Sequence, residues 1–133
     1  MEFQEYQNST TKTFKPHFEL TAKESEILDW SLGLPGEVGE VTELVKHSIF
    51  HKEEIDKMTL AKELGDILWY IAALSKSYDI PMDAFAQLNL AKLQHRHGGS
   101  YNSAGSAERH EKEAKFEETE TYQILKSIIM QNV

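Results

Sequence analysis

The sequence contains no cysteine. Disulfide staples, thiolate metal sites and cysteine nucleophiles are excluded at once. Proline is scarce, with three in 133 residues, and Pro35 and Pro81 stand where a first helical turn accepts one. No stretch of the sequence approaches the ~20 consecutive apolar residues that span a bilayer. The opening MEFQEYQNSTTK lacks the basic start and apolar run of a secretory signal, so a cytoplasmic location is expected. Neither a Walker loop nor a GxGxxG is present, which argues against a P-loop NTPase or a dinucleotide fold. Basic residues are in deficit: 14 Lys and Arg against 22 Asp and Glu leave a net charge of −8. That balance disfavours nucleic acid and anionic membrane as partners. It still admits a polyphosphate, provided divalent cations lie between the two sets of negative charge.

What is present is helical periodicity, with no convincing strand alternation. A short helix is expected from Phe3 to about Thr13, ended by the loop around Pro16. Thr21-Ala22-Lys23-Glu24 has the form of a capping box and predicts a helix start near Thr21. Gly33-Leu34-Pro35-Gly36 reads as an interruption, with a kink or a restart. From Glu37 to about Phe50 the residues Val38, Val41, Leu44, Val45 and Ile49 share one face. A third helix is expected from Thr59 to about Tyr78, with Leu60, Leu64, Ile67, Leu68, Ile71 and Leu74 as its apolar stripe. Ile80-Pro81 marks a turn into a fourth helix ending near His97. Gly98 to Ser106 is linker-like, and Ser106 reads as the cap of one further helix through about Met130. That tail buries little by itself, so it either docks on the bundle or meets another subunit. The division expected is 1–98 for the main domain and 99–133 for linker and tail.

Two acidic patterns carry chemistry: Glu37-x-x-Glu40, with Glu43 one step on, and Glu63-x-x-Asp66. Carboxylates three apart are helix-surface neighbours and repel one another. With Glu37 as origin, Leu44 and Val41 fall about 20° and 40° to either side, so Glu37 lies within the apolar stripe. Glu63 borders the stripe of the next helix, and Asp66 lies just beyond it. Two helices thus carry carboxylates toward their shared seam. Unpaired carboxylates there are costly, and a hard divalent cation with oxygen ligands is the economical remedy. For a single ExxE the solvated helix flank is the better reading; two pairs on successive helices favour a metal site.

In this order, with the flanks GLPGEVGEVTELVK and KELGDILWYIAALS, the early Phe3-x-x-Tyr6-Gln7 and the later Asn89-x-x-Lys92-Leu93-x-x-Arg96, the sequence resembles the MazG-like family over roughly residues 3–98. The resemblance implies an all-α fold, a four-to-five-helix bundle whose core is completed by dimerisation, as a homodimer or homotetramer. It implies hydrolysis of a nucleoside or deoxynucleoside triphosphate to the monophosphate and pyrophosphate. It implies Glu37, Glu40, Glu63 and Asp66 as magnesium ligands and catalytic residues, with manganese as a substitute. Asn89, Lys92 and Arg96 follow a 3–4 spacing on one helix face, which alone reads as an exposed basic helix end; the resemblance implies that they contact substrate.

Trp30, Trp69 and Tyr70 are expected as core or dimer contacts. Lys46 is a weak phosphate candidate, and His47-x-x-x-His51 has metal-sharing spacing but is read as a solvated pair. The rival reading is a non-catalytic helical module that binds a nucleotide or a partner protein.

Overall fold

The computed structural model describes residues 2–13, 19–98, 100–101, 103 and 108–131. Among them there is no strand and there are six α-helices. These are α1 (Phe3–Thr10), followed by a 3-10 turn at Thr11–Thr13, then α2 (Ala22–His51), α3 (Lys57–Ser77), α4 (Met82–His97), α5 (Arg109–Glu117) and α6 (Glu120–Met130). The expected loop at Pro16 and the expected Ser106 cap lie outside the described residues. No helix is long and apolar enough to cross a membrane.

Local chemistry sets the helix ends. Thr21 accepts from the Glu24 amide at 3.2 Å, and the Glu24 carboxylate accepts from the Thr21 amide at 2.8 Å. This is the reciprocal capping box read from the sequence. Asp56 caps α3 by accepting from the Met58 amide at 2.9 Å and the Thr59 hydroxyl at 2.7 Å, so α3 starts two residues before the expected Thr59. Lys52, in the left-handed region at φ 58°, closes α2. At the turn from α3 to α4 the Ser75 hydroxyl donates to the Ile80 carbonyl, whose own amide returns to the Ser75 carbonyl at 3.0 Å. Asp79 takes the left-handed conformation within that turn.

α2 differs from the expectation of an interruption at residues 33–36. It runs unbroken for 30 residues with Pro35 inside it. Gly33 is there for close approach rather than for a turn: a Cβ at that position would run into the ring of Tyr70 on α3. Packing of the two helices thus overrides the local breaker signal.

α2 and α3 form a long antiparallel hairpin. Trp30 meets Trp69 edge-on with ring centroids 5.1 Å apart, and Trp69 meets Tyr70 likewise at 5.1 Å. α4 does not extend this packing; it makes its contacts with α5 and α6. The tail therefore docks on α4, as a pair of helices rather than the single expected one. Thr119 separates them and caps α6 by accepting from the Tyr122 amide at 3.2 Å.

The apolar stripes read from the sequence are only half covered in the single chain. No residue of α2 is buried, and Val38, Ile49, Leu64 and Leu68 are 46%, 59%, 50% and 56% exposed. The buried apolar side chains among the described residues are Ala84, Phe116 and Leu125, all at the junction of α4 with the tail.

Candidate metal centre

Glu37 reaches the hairpin seam because α2 continues unbroken past Pro35 and puts it one turn beyond the Gly33–Tyr70 contact. Glu63 and Asp66 face it from α3, where they are three apart on one surface. One carboxylate oxygen from each of Glu37, Glu63 and Asp66 lies within 4.8 Å of the other two. Glu37 and Glu63 are half-buried and Asp66 is exposed. Among the described residues this is the cluster of potential ligands that comes together. None of the three forms an ion pair with a described Lys, Arg or His.

The electrostatics follow from that crowding. Burial pushes the Glu37 carboxyl above its ordinary pKa, and the charges of Glu40 and Asp66 push it further. Glu63 is raised first by burial, then by the charges of Glu40, Asp66 and Glu37 and by a hydrogen bond shared with Glu40. Glu40 is thus adjacent to the cluster through Glu63 while remaining exposed. Donor atoms that are all carboxylate oxygen suit a hard divalent cation, magnesium or manganese, and no softer ion is favoured. Such an ion would offset the mutual repulsion, so the residues fit the group.

Beside the cluster an open groove of about 390 Å³ is lined by Glu40, Glu43, Leu44, His47, Thr59 and Glu63. Glu43 is occupied by Lys46, whose Nζ donates to it at 2.8 Å, with both side chains exposed. His47 and His51 stack with ring centroids 4.4 Å apart, and His47 Nδ1 lies 3.7 Å from Glu53. Neither histidine joins a metal-holding cluster of three described residues.

The α4 residues are placed elsewhere. Asn89 and Lys92 line a cleft of about 310 Å³ between α4 and the tail. Arg96 is paired with Glu113 of α5, and its side chain is only 13% exposed. Lys112 donates to the Arg96 carbonyl at 3.2 Å, which fixes the end of α4 to the tail. The cluster and its groove include no α4 residue. The structure therefore assembles Glu37, Glu63 and Asp66, sets Glu40 at their side, and keeps Asn89, Lys92 and Arg96 with the tail. The engagement of Arg96 by Glu113 is not readable from the sequence. The Arg109-x-x-x-Glu113 spacing signals a helix, but nothing in it names the partner across the linker.

The model of the MazG nucleotide pyrophosphohydrolase domain matches residues 28–99, more than half of the chain and all of the acidic seam. The Gene 37 protein of Mycobacterium phage L5 is 37% identical over 70 residues, covering 50% of this chain and 61% of that protein. The chain thus spans about three fifths of the length of the curated relative it matches. No solved structure matches the chain at a significant level. The tail from residue 100 onward lies beyond the family match.

Proposed function

This chain belongs to the MazG nucleotide pyrophosphohydrolase domain family, and from that premise we propose that it hydrolyses a nucleoside or deoxynucleoside triphosphate to the monophosphate and pyrophosphate in a magnesium-dependent reaction. The observation that carries the reading is the convergence of Glu37, Glu63 and Asp66 from two helices with no ion pair to a described Lys, Arg or His. Glu37, Glu63 and Asp66 hold the divalent ion through carboxylate oxygens, and Glu40 supplies the fourth carboxylate from the adjacent turn of α2. When bound, the ion neutralises charge on the phosphoryl oxygens and makes water more acidic. The remaining work belongs to the chain. The bond broken is the anhydride between the α and β phosphates, and the bond made joins a water oxygen to the α phosphorus. A carboxylate of the cluster not engaged by the ion takes the proton that this water gives up. Lys92 and Asn89 contact the nucleotide from α4. Arg96, held by Glu113, anchors the tail in the single chain.

The same reading includes a second copy. Val38, Ile49, Leu64 and Leu68 leave both helices of the hairpin with exposed apolar flank, the kind of surface that marks an interaction site when it is contiguous. These exposed flanks support a homodimer or homotetramer in which another copy covers them, which sedimentation of the whole chain measures directly. The setting is cytoplasmic, where triphosphates and magnesium are plentiful.

The test is pyrophosphate release by the whole chain across ribo- and deoxyribonucleoside triphosphates, with magnesium and with chelator. Turnover that needs magnesium and disappears in Asp66→Asn is expected. Folded protein that leaves every triphosphate intact would instead favour a binding module without catalysis.

A further inference from the structure

The cleft between α4 and the tail shares no lining residue with the acidic cluster or its groove. Its walls include Phe85, Asn89 and Lys92 from α4 and Phe116, Glu117 and Tyr122 from the tail. Phe116 is 4% exposed. Tyr122 stands edge-on to it with ring centroids 5.5 Å apart. Glu113 also reaches the cleft, but it is taken by Arg96 and by Arg109 at 3.5 Å. Lys92 and Glu117 are different. They carry opposite charge, line the same cleft, and neither pairs with the other or with any other described residue. An ammonium and a carboxylate that line one cleft of about 310 Å³ without pairing are both available to a ligand. That volume is at the small end of the ~300–1,000 Å³ typical of ligand pockets.

We propose that this cleft binds a guanine nucleotide, with the base against the half-buried ring of Tyr122 and against Glu117 and the phosphate toward Lys92. Aromatic side chains offer any base a stacking surface. The carboxylate selects among bases. Its two oxygens accept two neighbouring N–H groups, and of the four common bases guanine alone presents adjacent donors, at N1 and at its exocyclic amine. Adenine and cytosine place a ring-nitrogen acceptor next to their amino group, which faces a carboxylate unfavourably. Uracil has one N–H between two carbonyls. Asn89 donates or accepts at the remaining base edge. Four of the cleft residues, Glu113, Phe116, Glu117 and Tyr122, lie beyond the family match, so the selectivity belongs to this chain's own tail. The proposal rests on the nucleotide reading given above and adds the base and the half of the molecule that reads it.

Nucleoside monophosphates test it without involving the acidic seam. The whole chain, in chelator, is titrated by calorimetry with GMP, AMP, CMP and UMP. GMP is expected to bind most tightly. Glu117→Gln, at an exposed position on the end of α5, is expected to weaken GMP at least about tenfold while leaving AMP nearly unchanged. Lys92→Gln is expected to weaken all four alike. Equal affinity for the four, no binding of any, or GMP affinity unaltered in Glu117→Gln would overturn the proposal. Pyrophosphate release, measured in parallel, keeps the two ideas apart. Magnesium-dependent turnover without GMP selectivity leaves the hydrolase standing and removes the guanine cleft. Selective GMP binding without turnover does the reverse.

Discussion

The α2–α3 hairpin and the α4–tail unit are made from similar amphipathic helices but spend their side chains differently. The hairpin is the longer of the two, yet no residue of α2 is buried, and three of its carboxylates crowd together without a counterion among the described residues. The α4–tail unit is short, holds Ala84, Phe116 and Leu125 in the most enclosed positions, and pairs its central guanidinium with Glu113. Burial and ion pairing stabilise; unpaired, partly desolvated charge does not. The contrast places the crowded carboxylates on a framework that is incompletely satisfied, and the most enclosed packing in the α4–tail unit. Natural proteins commonly give up stability where function needs strained or repelling groups.

The sharpest way to break the comparison is to neutralise the crowding. Glu63→Gln is expected to lower magnesium-dependent pyrophosphate release by about 100-fold or more, since even partners of metal ligands are worth 10–100-fold. The same variant is expected to raise the melting temperature of the metal-free protein, because it removes a repelling charge from the cluster. A fall in both quantities would show that Glu63 has a structural role instead. Next in size is the opposite unit: Leu125→Ala, at a position 6% exposed, is expected to cost ~2–5 kcal/mol in urea unfolding. Magnesium affinity of the folded fraction is expected to be unchanged, and a parallel loss would mean that the two regions are coupled.

Smaller effects sharpen the same contrast. Thr21→Ala and Thr119→Ala each remove an N-cap, one from either region, and each is expected to cost about 1 kcal/mol. Hydrogen exchange is expected to report the first loss in α2 and the second in α6. The smallest effect is one of pH. The hydrogen bonds from Thr59 and the Met58 amide hold the Asp56 carboxyl below its ordinary pKa. A depressed folded pKa means that this cap stabilises the hairpin above the unfolded value of about 3.9 and is lost as pH falls through the lower folded value. The melting temperature is therefore expected to drop below about pH 4, and Asp56→Asn, which keeps an acceptor without a charge, should flatten that part of the curve.

Much of the hairpin was legible in the sequence because its signals are local. The Thr21–Glu24 box, the turn at Ile80-Pro81 and the angular position of Glu37 depend only on neighbours a few residues away. The restart expected at Gly33–Gly36 is absent for a non-local reason: Tyr70, far along the chain, uses the missing side chain of Gly33. The acidic patterns showed which residues could meet, but the helix period could not say that Glu40 would sit beside the trio rather than within it. The stripe of Val38, Leu64 and Leu68 was readable as apolar, whereas its exposure in one chain depends on what packs beyond it. The least legible part was the tail. AERHEKEAKFEETE is so polar that its one buried aromatic, Phe116, gives no periodic signal. Its ion pair with Arg96 spans a linker whose course composition does not determine.

The Trp30–Trp69 contact has a practical corollary. These are the chain's two tryptophans, and both belong to the hairpin, on facing helices and in edge contact. Intrinsic emission excited at the red edge of absorption therefore arises from α2 and α3 alone, while the tail contributes only tyrosine and phenylalanine. The molecule carries a built-in optical gauge of how far apart its two longest helices stand.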